Sequence, residues 1–189
     1  MCNTWANLER DCLTCKKCSL CETRTNVVFG EGNINSKVML IGEGPGKEED
    51  LQGRPFVGRS GKLLDKMLEK VGLSRQKNIY IANIVKCRPP QNRDPLPGEQ
   101  NECMNWLRSQ FTIINPKIIV ALGRIAAARV IKPDLKITKE HGIIYKKKDI
   151  FMMAVFHPAA LLRDQSKISF AEQDFAKLKH LIDKNISYS

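Results

Sequence analysis

The run Lys37-Val38-Met39-Leu40-Ile41-Gly42-Glu43-Gly44-Pro45-Gly46 decides the fold. Lys37 to Ile41 is a short apolar run of strand length, and it stops at three glycines in five residues, a turn that allows close backbone approach to a ligand. Working outward, Ile79 to Ile84, Lys117 to Leu122 and Ile150 to Phe156 repeat the strand signal, rich in Val and Ile. Helical spacing of leucines and other apolar residues runs through Gly61 to Val71, Gly98 to Phe111, Ile125 to Ile131 and Ala171 to Lys184. Strands that alternate with helices predict a largely parallel, four-stranded sheet covered on both faces. In such sheets ligands bind beyond the carboxyl ends of the strands, so the segments after each strand are where chemistry is expected. The stretch from Ile143 to Asp149, with Lys146, Lys147 and Lys148 in a row, reads as a hairpin or charged edge strand.

A chain of 189 residues with 42% hydrophobic content can bury one sizeable core, and a single domain is expected. Lys and Arg outnumber Asp and Glu by 31 to 20, for a net charge of +11, which favours a polyanionic partner. No apolar run approaches the ~20 residues of a membrane helix. Met1 to Trp5 shows no basic region followed by an apolar run, so a reducing, cytoplasmic setting is expected.

Seven cysteines in that setting read as ligands or thiols rather than disulfides, and five of them, Cys2, Cys12, Cys15, Cys18 and Cys21, fall in the first 21 residues. Cys15 and Cys18 have the spacing at which two thiolates share one metal centre. Cys21 continues it, and Cys87 and Cys103 are the remaining candidates. Spacing alone does not separate zinc from a four-iron cluster, nor either from buried free thiols at Cys87 and Cys103. Cys2 and Cys12 read as spare thiols.

Two nucleotide motifs fail on inspection. Lys47 stands where the third glycine of a dinucleotide fingerprint belongs, and in Gly53 to Ser60 an arginine, Arg59, replaces the lysine of a phosphate loop. Asn83 ends the second strand run and offers a donor and an acceptor on one plane, suited to a base edge. His157 follows the fourth and could donate to developing negative charge. The proline-rich segment Arg88 to Pro97 reads as an ordered surface loop with arginines available for phosphate.

Together Glu22 to Gly32, Gly42 to Gly61, Lys86-Cys87-Arg88-Pro89-Pro90 and His157-Pro158-Ala159-Ala160-Leu161 resemble the family-4 uracil-DNA glycosylases of the uracil-DNA glycosylase superfamily. The resemblance implies a three-layer α/β/α sandwich with a [4Fe-4S] cluster on Cys15, Cys18, Cys87 and Cys103, which joins an N-terminal arm, residues 1–26, to the rest of one domain spanning 1–189. It implies removal of uracil from DNA by hydrolysis of the N-glycosidic bond, by a monomer acting on uracil-containing DNA, with no membrane partner. A basic iron-sulfur module that binds DNA without base excision is the alternative. Phe56 would stack on the flipped base, Asn83 pair with its edge, and His157 hydrogen-bond the carbonyl that gains charge. Leu161 would fill the gap in the base stack, with Lys86, Arg88 and Arg163 on phosphates. Gly44 follows Glu43 where the best-known branch has an Asp that activates water, which leaves Glu43, then Glu49, as the water-positioning carboxylates. Gly46 occupies the place of that branch's tyrosine, and exclusion of thymine's methyl falls to Glu49.

Overall fold

The computed structural model describes residues 4–186; Cys2 lies outside them. In chain order the elements are α1 (Trp5–Leu13), α2 (Leu20–Thr23), β1 (Glu31–Gly32), β2 (Val38–Gly42), α3 (Lys47–Gln52), α4 (Arg59–Lys70), β3 (Tyr80–Asn83), α5 (Pro97–Ile114), β4 (Ile118–Leu122), α6 (Arg124–Val130), α7 (Ile137–Glu140), β5 (Ile144–Lys147), β6 (Ile150–Val155), α8 (Pro158–Arg163) and α9 (Ile168–Asn185). They build one six-stranded sheet in the order β1-β3-β2-β4-β6-β5. The four strands expected from the apolar runs form its parallel centre. The lysine-rich hairpin is there too, as β5 antiparallel to β6. The sixth strand, β1, adds two residues antiparallel to β3 at the other edge and is too short to leave a periodic signal.

Every residue of β2, β3 and β4 is buried. Alternate side chains go to opposite faces, Val38 and Leu40 to one core, Met39 and Ile41 to the other. Leu64 and Leu68 of α4 with Phe175, Leu178 and Ile182 of α9 cover the first face. Leu8 of α1, Met104 and Leu107 of α5 and Ala126 and Ala127 of α6 cover the second. Each fully buried Leu or Ile contributes about 2 kcal/mol, so the sheet is clamped from both sides and the sandwich has three layers.

Two elements form for reasons other than periodicity. In α3, Glu48, Glu49 and Asp50 sit in the first turn, where carboxylates offset the helix dipole, and Gly53 closes it at φ 67°. Helix α1 starts at Thr4, whose hydroxyl accepts from the Asn7 amide at 3.3 Å. Trp5 then packs edge-on against Phe29 and Tyr80, with centroids 5.2 and 5.3 Å away, which seats the arm on the sheet.

The strand order creates a switch point. From β2 the chain moves to β3 on one side and then returns to β4 on the other, so a crevice opens at the carboxyl end of β2.

Lys86, expected on DNA phosphate, is instead among the largest fully buried side chains. It follows β3 inward, and its ammonium donates to Gln110 Oε1 at 2.7 Å. Gln110 in turn donates to the Phe29 carbonyl at 2.9 Å and to the Tyr80 hydroxyl at 3.2 Å. Burial lowers the Lys86 pKa to about 8. Removing its acceptor orphans a buried ammonium. We expect Gln110→Leu to lower unfolding free energy by about 2–3 kcal/mol in chemical denaturation, a loss an exposed lysine would not produce.

Candidate active site and cysteine cavity

A cleft of about 480 Å³ occupies the switch point. The turns after β2, β3, β4 and β6 contribute Glu43 and Gly44, Asn83, Gly123 and His157, and Phe56 and Glu49 close the wall. Seven residues singled out from the sequence, Glu43, Gly44, Glu49, Phe56, Asn83, His157 and Arg163, line this one space.

Phe56 and Asn83 meet above Gly42. A Cβ on Gly42 would collide with both Asn83 Oδ1 and the Phe56 ring, so glycine is required at the end of β2 for these groups to lie over the strand. Asn83 is buried, and its Oδ1 has no hydrogen-bond partner among the described residues. An unpaired buried carbonyl costs about 1–3 kcal/mol, which marks Asn83 as a group waiting for a donor. The Phe56 ring lies 5.7 Å from the His157 ring, at 35° to it. Its backbone has φ 53°, a left-handed conformation that costs a bulky residue about 1–3 kcal/mol.

His157 has a defined tautomer. Its Nδ1 accepts from the Ala159 amide at 3.1 Å, so the proton resides on Nε2. Burial, with the Arg163 charge second, lowers its pKa to about 4. The ring is therefore a neutral Nε2–H donor across the physiological range. Gly123, at φ 89°, allows β4 to end beside it; a Cβ there would lie 2.8 Å from that of His157.

The two carboxylates differ in setting. Glu49 is buried, and its Oε1 accepts from the Val57 and Gly58 amides, both at 2.8 Å. Its Oε2 would lie 2.7 Å from a Cβ on Gly46, so this carboxylate fills the space a side chain at 46 would take. Glu43 is half-buried, and desolvation, followed by the Asp94 charge, raises its pKa above the usual value. Asp94 pairs with Arg124 across the cleft mouth.

Two expectations are not met. Lys86 is in the core. Leu161 is fully buried against the α4 and α9 face, because α8 turns it inward, and its neighbour Leu162 is the exposed leucine. Arg88, half-buried in the loop after β3, donates to Asn92 Oδ1 at 2.7 Å. Sequence reading missed Arg124, Asp94 and Gly123. The φ requirement of Gly123, which directly follows a strand run, was the signal available.

Cys12, Cys15, Cys18, Cys21, Cys87 and Cys103 line a second cavity between the arm, the turn after β3 and α5. Three of them receive N–H donors: Cys15 from Trp106 Nε1 at 3.3 Å, Cys87 from Arg24 at 3.2 Å, and Cys103 from the Lys86 amide at 3.2 Å. No such donor reaches Cys12, Cys18 or Cys21 among the described hydrogen bonds, and burial raises the Cys12 pKa to about 12. Among the described residues no three His, Cys, Asp or Glu side chains converge closely enough for a single metal ion.

Residues 29–181 match the family described as the Uracil DNA glycosylase superfamily. The chain is 42% identical over 187 residues to a type-4 uracil-DNA glycosylase of Archaeoglobus fulgidus, covering 94% of this chain and 93% of that one. It is 45% identical over 179 residues to one from Thermotoga maritima, covering 89% and 91%. A further one, from Sulfurisphaera tokodaii, is 42% identical over 183 residues, covering 92% and 83%.

The His157 geometry is directly measurable. In ¹⁵N NMR of the imidazole we expect a neutral ring with Nε2 protonated down to about pH 5, and a titration midpoint near pH 4. The unfolded chain takes up that proton near pH 6.5, so folding stability is full above that pH and falls as pH drops toward 4. A midpoint at 6.5 in the folded protein would contradict the buried Nδ1 contact.

Proposed function

The chain belongs to the type-4 branch of the uracil-DNA glycosylase superfamily and carries its activity, removal of uracil from DNA; we propose that the switch-point cleft receives a flipped deoxyuridine and hydrolyses its N-glycosidic bond, leaving an abasic site. The single observation that carries this reading is the orphaned Oδ1 of Asn83, buried beside an aromatic ring and a neutral histidine donor. Uracil supplies what is missing. Its imide N–H reaches Asn83 Oδ1, and the Asn83 amide donates to the adjacent carbonyl. Cytosine presents a bare ring nitrogen and an amino group there, which leaves both sides unpaired.

Phe56 stacks on the base. As the bond breaks, negative charge moves onto uracil, and His157 Nε2–H hydrogen-bonds the carbonyl that receives it, a contribution of about 3 kcal/mol. A neutral donor suits this task, because its proton stays on the ring when the base leaves. Glu43 positions the attacking water, since Glu49 is committed to the Val57 and Gly58 amides. The Glu49 carboxylate beside Gly46 keeps out thymine's methyl. Arg163 at the cleft and Arg88 in the neighbouring loop contact phosphates, and exposed Leu162 takes the wedge role.

Cys15, Cys18, Cys87 and Cys103 would hold a [4Fe-4S] cluster, and the N–H donors that reach Cys15, Cys87 and Cys103 support that set. When bound, it supplies a structural cross-link between the arm, residues 1–26, and the rest of a single domain. Lys86 and Arg24 bring positive charge to the same cavity. Among the described residues no helix is long and apolar enough to cross a membrane. The net charge of +11 supports a polyanionic partner, and the proposed form is a monomer that acts on DNA inside the cell.

The test is release of uracil from labelled DNA with one uracil, beside thymine and cytosine controls, read by alkaline cleavage. We expect uracil-specific cleavage that falls roughly 100- to 1,000-fold in His157→Ala and strongly in Asn83→Ala. Full rates in both would refute the assignment. The pH profile separates the carboxylates. Glu43 acts as an anion, so the rate falls as pH drops through its raised pKa, before His157 gains a proton near pH 4. Glu43→Gln is expected to cost roughly 100-fold or more and to leave only the lower limb. For the cysteines, iron and sulfide analysis is expected to show loss of the cluster in Cys87→Ser and Cys103→Ser and retention in Cys12→Ser and Cys21→Ser; loss in Cys21→Ser would change the ligand set.

A further inference from the structure

Arg75 lies outside the cleft, in the segment between α4 and β3, and its side chain is 4% exposed. Its guanidinium donates to the Pro55 carbonyl at 2.7 Å and to the Phe56 carbonyl at 3.0 Å. Asp65 and Glu31 hold the guanidinium in place, at 2.8 and 3.0 Å. The ordinary account of such a group is a buried ion pair that supports the fold. The choice of partners says more.

Five non-glycine residues have positive φ among the described residues: Phe56, Gln91, Asn92, Asn115 and Lys148. Asn115 caps α5, Gln91 and Asn92 shape the proline-rich loop, and Lys148 turns the hairpin, all positions where a left-handed residue is routine. Phe56 alone is aromatic and buried. Its conformation is held from both sides. Arg75 grips the carbonyls of 55 and 56, and Glu49 grips the amides of 57 and 58. Gly61 makes room, since a Cβ there would overlap the Phe56 carbonyl. A peptide rotation that relaxed φ at Phe56 would break the Arg75 contacts and swing the ring off Gly42 and Asn83.

We propose that Arg75 is a positioning residue for uracil excision, acting through the backbone of Phe56 to hold the stacking ring in the base pocket. This rests on the reading that Phe56 stacks on the base. Arginine is required because one planar fork must serve two carbonyls and two carboxylates, and a lysine ammonium cannot span them.

The experiment is a double-mutant cycle of Arg75→Lys with Phe56→Ala on full-length protein with its cysteine ligands intact. It reads kcat and KM on uracil-containing DNA and competitive inhibition by free uracil, at a temperature where circular dichroism shows every variant folded. Arg75→Lys alone is expected to lower kcat/KM by roughly 10- to 100-fold and to weaken inhibition by free uracil. In the Phe56→Ala background the same change should cost less than about twofold, because the ring it positions is gone. Equal losses in both backgrounds would overturn the proposal and leave Arg75 a general support of the fold. Phe56→Ala with unchanged kinetics would instead sink the stacking reading. If Arg75→Lys does not fold, Asp65→Asn decides the matter in the same cycle: it keeps Arg75 and loosens its grip, and its loss must likewise vanish with Phe56→Ala.

Discussion

Parallel pairing of β3, β2, β4 and β6 forces the four turns that follow them onto one edge of the sheet. With β2 between β3 and β4 those turns cannot close over one another, and the edge stays open at its middle. The cleft is a consequence of this topology. Each strand is apolar on both faces, so register is fixed by burial, and Glu43, Asn83, Gly123 and His157 are set at strand ends that cannot slip without exposing a core face. The rigidity that catalysis needs thus comes from the same burial that makes the fold stable.

Onto that edge the protein places groups whose local states are unfavourable in isolation. Asn83 has an unpaired carbonyl, Phe56 a left-handed backbone, and His157 a ring that burial keeps neutral. Such costs persist only where the surroundings over-determine them. Here the surroundings are specific: Gly42 under the ring and amide, Glu49 and Arg75 around the 55–58 turn, and the Ala159 amide on His157 Nδ1.

The opposite face carries a second polar construction, in which Lys86, Gln110, Tyr80 and the cysteine cavity lie beneath the arm. Burying an ammonium is tolerable only with an acceptor and nearby negative charge, and thiolates bound to a cluster would supply the latter. Arm, sheet and cavity therefore depend on one another.

The sequence alone determined the order of the four central strands and of helices α4, α5, α6 and α9, because apolar runs and helical spacing are local consequences of which faces are buried. The lysine-rich hairpin and the strand-end positions of Asn83 and His157 were legible for the same reason, and the glycine turn after β2 announced itself by composition. Motif resemblance singled out Phe56 and selected four cysteines from the set that spacing had already gathered. What tertiary structure decided was the direction of individual side chains. Lys86 sits one residue from Cys87 and Leu161 one residue from an exposed leucine, and nothing in their local sequence says which way they point; the core took both. Glu43 and Glu49 both follow β2 closely, and only the fold commits one to the Val57 and Gly58 amides and leaves the other at the cleft wall. Arg75 was silent in the sequence because its partners lie 10 to 44 residues away, and only the folded chain brings them to one guanidinium.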